Sequence, residues 1–127
     1  MKYLQKTRQN DTHWYATDGS VIGKRAGWAY LNLKTGKVVM GRTTGDLSAG
    51  RGEWLALLHA LEDSSEKKDV IILTDYFQAT VLEDYAKNAN VLSKCKHRDL
   101  IAQAAHILRN RPKDSTHICR VKGHAGI

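Results

Sequence analysis

Three acidic residues stand where regular elements should begin or end: Asp18 in Tyr15-Ala16-Thr17-Asp18-Gly19-Ser20, Glu53 in Arg51-Gly52-Glu53-Trp54, and Asp75 in Leu73-Thr74-Asp75. Each has an ordinary explanation when taken singly. Asp18 before Gly-Ser suits a turn, Glu53 suits a helix N-terminus through the macrodipole, and Asp75 could cap a following helix. Their settings weaken those explanations. Asp18 shares a strand face with Trp14 and Ala16, and Glu53 shares a helix face with Ala56, Leu57 and Ala60. Asp75 ends an apolar run, at the strand end where open α/β sheets place their ligands. Carboxylates gathered in apolar surroundings are costly unless a cation neutralises them. A hard, oxygen-seeking ion such as Mg²⁺ meets that need and is the usual partner of phosphoryl-transfer sites. The residue types and settings point to a divalent-metal site.

The elements that must hold these acids can be read from hydrophobic period and turn chemistry. Period-two alternation predicts strands over 13–20, 27–33 and 38–44, the last two joined by the turn Lys34-Thr35-Gly36-Lys37. Short connections make the three an antiparallel meander. A helix is predicted over 51–63, with Ser48 as its N-cap and Trp54, Leu57, Leu58 and Leu61 as its apolar stripe. The continuous apolar run 70–73 reads as a buried parallel strand. Helices over 77–87 and 99–109 follow, the second ended by Pro112, and a last strand spans 116–122. Residues 88–96 read as irregular or a short helix. The order β-β-β-α-β-α-α-β defines an α/β domain with a mixed sheet.

The chain has 127 residues and a formal net charge of +7. That length suits one domain with a real core, here assigned to 13–127 behind a short basic extension over 1–12. No apolar run approaches the roughly 20 residues needed to cross a bilayer, and the first residues lack a secretory signal. The positive balance favours a polyanionic partner. It is concentrated at Lys94, Lys96, His97 and Arg98, and again at Arg109, Arg111, Lys113, Arg120 and Lys122, either of which could equally be a solvated face. Cys95 and Cys119 do not form a disulfide framework and are expected to be reduced in a cytoplasmic protein. A zinc site from Cys95, His97, Cys119 and His124 is disfavoured, because the spacing is too tight and no C-x-x-C pair occurs.

Five segments in order resemble the type 1 ribonuclease H family: Thr17-Asp18-Gly19-Ser20, Gly27-Trp28-Ala29, Arg51-Gly52-Glu53, Leu73-Thr74-Asp75, and Val121-Lys122-Gly123-His124-Ala125-Gly126. The resemblance covers nearly the whole chain. It implies a three-layer domain whose five-stranded mixed sheet, an antiparallel meander plus two parallel strands, is flanked by helices. It also implies a monomeric endonuclease that hydrolyses the RNA strand of RNA/DNA hybrids, using two Mg²⁺ ions that Mn²⁺ can replace. Asp18 would bridge the ions, Glu53 and Asp75 would hold the one on the leaving-group side, and His124 would assist proton transfer or product release. Gly19, Ser20, Ser48, Arg51, Lys94, Lys96 and Arg98 would contact the nucleic acid.

Some features depart from that pattern. The family places a further Asp after the histidine, opening a final helix, whereas this sequence stops at Ile127. The resemblance therefore implies a C-terminally incomplete domain with impaired cleavage, and a non-catalytic module binding hybrids or RNA on the same fold is the alternative. Ala49 and Gly50 stand where the family has polar amides, and Tyr76 stands where it has Ser. The family's basic protrusion is shortened, leaving Lys94, Lys96 and Arg98 to grip phosphates.

Overall fold

Alternation along the first strand sorts its side chains cleanly between the two faces of a sheet. In the computed structural model, which describes residues 11–22, 25–44, 49–87 and 96–122, β1 (His13–Ile22) is the central strand. It pairs antiparallel with β2 (Arg25–Asn32), which pairs antiparallel with β3 (Val38–Thr44). On its other side β1 pairs parallel with β4 (Val70–Thr74), and β4 pairs parallel with β5 (Thr116–Arg120). The order is β3-β2-β1-β4-β5, the mixed five-stranded sheet that the sequence predicts.

Tyr15 and Thr17 of β1, Tyr30 of β2, and Val70, Ile72 and Thr74 of β4 share one face and are buried. That face meets α1 (Ala49–Asp63), whose Trp54, Leu57, Leu58 and Leu61 form the core with it. Two further helices, α2 (Leu82–Lys87) and α3 (Arg98–Arg109), add Leu82, Leu100, Ile101, Ala104 and Ala105 to the same core. Two of the three expected layers are thus built from described residues.

α1 is pinned at both ends. At its C-terminus the Asp63 carboxylate accepts hydrogen bonds from the Tyr15 hydroxyl at 2.7 Å and the Tyr30 hydroxyl at 3.1 Å. Burial, followed by the Asp63 charge and hydrogen bond, pushes the Tyr30 phenol up to about 12. At its N-terminus, Gly19 of β1 and Gly52 of α1 let two backbones touch. A Cβ on Gly19 would lie 2.3 Å from the Glu53 amide nitrogen, and one on Gly52 would lie 2.2 Å from the Gly27 carbonyl oxygen. The helix can therefore sit against β1 and β2 only with glycine at both places.

Several boundaries differ from the sequence reading. β1 runs on to Ile22 and β2 begins at Arg25, because pairing continues through Val21↔Ala26 and Ile22↔Arg25. α1 begins at Ala49, two residues early, and its proposed N-cap Ser48 lies outside the described residues. The expected helix over 77–87 is a 3₁₀ turn (Phe77–Val81) followed by the short α2. Tyr76 stays extended, with its amide held by the Thr74 hydroxyl at 3.0 Å, so the chain must re-enter helix through a tight Ala79 N–H to Tyr76 C=O bond. β-Branched Thr80 and Val81 are poor continuations of an α-helix there. β5 ends at Arg120, opposite the last residue of β4. Of the expected extension 1–12, residues 1–10 lie outside the described residues, whereas Thr12 is buried and its hydroxyl donates to Asp69 at 2.8 Å.

Candidate metal centre

The last parallel pair between β1 and β4 is Thr17↔Thr74. Asp18 and Asp75 are the next residues on the two chains, so they leave adjacent strands at the same level. β1 is held in place there by β2, through Asp18↔Ala29, while β4 has ended and releases Asp75 into a bend. Glu53 arrives from above, on the fifth residue of α1, because the Gly19–Gly52 contact brings that helix down onto β1. One ligand oxygen from each of the three carboxylates lies within 4.8 Å of the others. Among the described residues this is the one such group of acidic, histidine or cysteine ligands. The zinc alternative rests on Cys95 and His124, which lie outside the described residues.

The three acids are not exposed ornaments of helix ends. Glu53 is 9% exposed, and it lies on the face that buries Ala56, Leu57 and Ala60 completely. The N-cap position before the 3₁₀ turn belongs to Tyr76, and no side chain caps that turn. One Glu53 oxygen accepts the Gly19 amide, while its buried Oε2 has no hydrogen-bond partner. A carboxylate oxygen left unpaired beside two other carboxylates suits a cation and little else. The donor set fits Mg²⁺ or Mn²⁺, both of which prefer oxygen ligands.

Burial and then the neighbouring Asp75 push the Glu53 carboxyl up from 4.5 to about 7, against the opposing hydrogen bond of the Gly19 amide and with a lesser push from Asp18. In metal-free protein the folded state therefore keeps a proton that the unfolded chain loses as pH rises above 4.5. Stability must then fall between that pH and about 7, by about 1–3 kcal/mol once solvent screening is allowed for. Glu53→Gln should remove this slope and leave the EDTA-treated protein more stable than wild type at pH 8. Urea denaturation at pH 5 and pH 8 checks it, and parallel behaviour of the two proteins would refute it.

A cavity of about 360 Å³ is lined by Gly50, Trp54, Tyr76, Gln78, Lys96 and His97 among others, Tyr76 and Trp54 being next in the chain to Asp75 and Glu53. Tyr76 packs edge-on against Trp54, with ring centroids 6.0 Å apart. Its hydroxyl would lie 2.9 Å from a Cβ on Gly50, so any side chain there would fill the cavity. The sequence marks Gly50 and Tyr76 as departures and His97 as one of a basic group. Nothing in it signals that they meet. His97 is buried and adopts a left-handed φ of 63° just before α3.

Of the residues expected to contact nucleic acid, Gly19 lies under Glu53, and Ser20 is exposed three residues past the last β1–β4 pair. Lys96 and Arg98 are exposed around the start of α3. The Arg51 guanidinium makes two hydrogen bonds to Asp99, at 2.9 and 2.8 Å, which tie α1 to α3. That bond holds the Asp99 carboxyl below its ordinary range. Ser48, Lys94 and His124 lie outside the described residues.

The RNase H family matches the sequence over residues 9–127. No curated protein matches it. Among solved structures, the chain is similar to the native protease-reverse transcriptase of prototype foamy virus, with a TM-score of 0.70 and 20% identity. The similarity covers 88% of this chain but 17% of that one, so it speaks for the fold of one part of a much longer protein.

Proposed function

The chain belongs to the RNase H family, and on that premise we propose that it hydrolyses the RNA strand of RNA/DNA hybrids endonucleolytically. The observation that carries this reading is the meeting of Asp18, Glu53 and Asp75 within 4.8 Å, with one Glu53 oxygen buried and unpartnered. The three carboxylates would hold Mg²⁺, two ions per site, or Mn²⁺ in its place. When bound, such ions supply charge for activating water and for stabilising the departing oxygen.

The protein's own groups do the rest. Asp18 would be the central metal ligand, and Glu53 and Asp75 would hold metal on the leaving-group side. The sheet and the Gly19–Gly52 contact keep these carboxylates in place before substrate arrives, so little reorganisation remains for the chemical step. His124 assists proton transfer or product release, work that a titratable imidazole suits near neutral pH. Ser20, Ser48, Lys94, Lys96 and Arg98 hold phosphates, and the Gly19 backbone lies at the cleavage point. Arg51 acts on the same surface, braced by Asp99. Choice of RNA over DNA rests on the 2′-hydroxyl. No described helix is long and apolar enough to cross a membrane, and the reading takes the protein as a cytoplasmic monomer.

The test is cleavage of an end-labelled hybrid with Mg²⁺ or Mn²⁺, beside duplex DNA and duplex RNA. Cutting confined to the RNA strand of the hybrid supports the reading. Tight hybrid binding without cutting at saturating metal would replace it with a non-catalytic hybrid-binding module. Hybrid affinity should also fall steeply with salt, by a log–log slope of roughly 0.7–0.9 for each phosphate contact. Lys96→Ala with Arg98→Ala should lower that slope by about two contacts' worth. An unchanged slope would remove these residues from the binding surface.

A further inference from the structure

A second recess lies at the far end of the sheet from the carboxylates. Its volume is about 340 Å³, and it is formed where the end of α2, the end of α3, the loop 111–114 and the start of β5 converge. Thr116 there pairs with Val70, five residues before Asp75, which puts the recess roughly 16 Å along the strands from the metal centre. The proposed hydrolysis makes no use of it.

Its chemistry is one-sided. Lys87, Arg109, Arg111 and Lys113 line it against the two carboxylates of Glu83 and Asp114, leaving an excess of two positive charges. Lys87, Arg109 and Lys113 are exposed, so their charges face solvent. Beneath the rim, Arg111 Nε and Thr116 Oγ1 are buried and have no hydrogen-bond partner, while the two terminal guanidinium nitrogens of Arg111 donate to the Ser64 and Lys67 carbonyls. Thr116 as a whole is 5% exposed. The exposed cations of the rim set up a positive field, and that field attracts groups that only accept hydrogen bonds. Carboxylate is such a group.

Ala86, Leu108 and Pro112 supply an apolar side to the same recess. A phosphodiester backbone has nothing to place against it. An acidic peptide carries isolated carboxylates and can place an aliphatic side chain between them. We propose that this recess docks a short acidic, leucine-containing segment of a partner protein, leaving the catalytic face open to nucleic acid.

The test uses the whole chain and a fluorescein-labelled peptide of alternating Asp and Leu, read by anisotropy. Saturable binding with a Kd of about 10–100 μM is expected, lost when every Asp of the peptide is Asn. Lys87→Glu combined with Lys113→Glu should weaken it about tenfold or more, because both charges reverse at the rim. Lys37→Glu, exposed in the β2–β3 turn, should change it little. Leu108→Ala should weaken it while leaving the salt dependence alone. Hybrid binding by the Lys87/Lys113 variant should equal that of wild type. No saturation below about 1 mM, or equal weakening by Lys37→Glu, would overturn the proposal. So would displacement of the peptide by a single-stranded oligonucleotide, since that outcome assigns the recess to nucleic acid. None of these readouts depends on cleavage, so failure of the proposed hydrolysis would leave the docking result intact.

Discussion

Asp18→Asn should abolish RNA-strand cleavage while the protein folds and binds hybrid as before. The substitution keeps shape and replaces one anionic oxygen by an amide at the point where three carboxylates come within 4.8 Å. Cation affinity at the centre then falls, and with it the charge that stabilises the transition state. A loss of about 10³-fold or more in kcat/KM is expected, equivalent to about 4 kcal/mol. Folding should not suffer, because Asp18 is one of the charges that raise the Glu53 carboxyl. In EDTA the variant should melt no lower than wild type. Cleavage kinetics on an end-labelled hybrid, with thermal melts and hybrid titrations on the same preparation, decide the matter. Retention of more than about a tenth of wild-type activity would sink the metal-centre assignment.

Gly52→Ala is the second large effect, and it runs against helix propensity. Gly52 lies inside α1, where replacing Gly by Ala ordinarily stabilises by about 1 kcal/mol. Here the new Cβ would stand 2.2 Å from the Gly27 carbonyl oxygen and 3.3 Å from the Ser20 amide nitrogen, both of them backbone atoms that cannot rotate away. α1 must retreat from β1 and β2, or the strands must part. A net loss of about 3 kcal/mol or more is expected, and Glu53 moves away from Asp18 with its helix. Activity should fall further than the loss of folded protein explains. Gly36→Ala is the control. Gly36 has φ +76° in the β2–β3 turn with nothing within 4 Å of its Cβ position, so only conformational strain applies, about 1 kcal/mol. Denaturant melts of the two variants separate contact from strain, and equal losses would refute the close-packing account.

Much of the architecture was legible because it depends on local period. Tyr15 and Thr17 alternate with Trp14, Ala16 and Asp18, and the structure sends the two sets to opposite faces. The stripe Trp54, Leu57, Leu58 and Leu61 is buried as its spacing requires. Of the run 70–73, Val70, Ile71 and Ile72 are buried completely, as expected of a buried parallel strand, and Leu73 is half-buried. Where period was weak, the reading failed. The segment Phe77–Lys87 is split, because Tyr76 must stay extended behind Asp75, a constraint set by the strand end and not by local propensity. Pairing partners likewise moved the ends of β1, β2 and β5, since a strand continues as long as its neighbour does.

The candidate site divides in the same way. That Asp18, Glu53 and Asp75 occupy apolar faces and a strand end follows from the order of residues alone, and so does the preference for a hard cation. Their approach to within 4.8 Å required β1 and β4 to run parallel in register and α1 to touch β1 through two glycines. The raised Glu53 carboxyl is likewise a tertiary property, since its causes are burial and charges far apart in the chain. Arg51 was legible as a basic residue at a helix start, but its partner Asp99 lies 48 residues away. Local spacing determined which groups this protein holds and which face each one takes. Only tertiary packing decided which of them meet, because distances between distant residues depend on strand register and on how closely two backbones can approach.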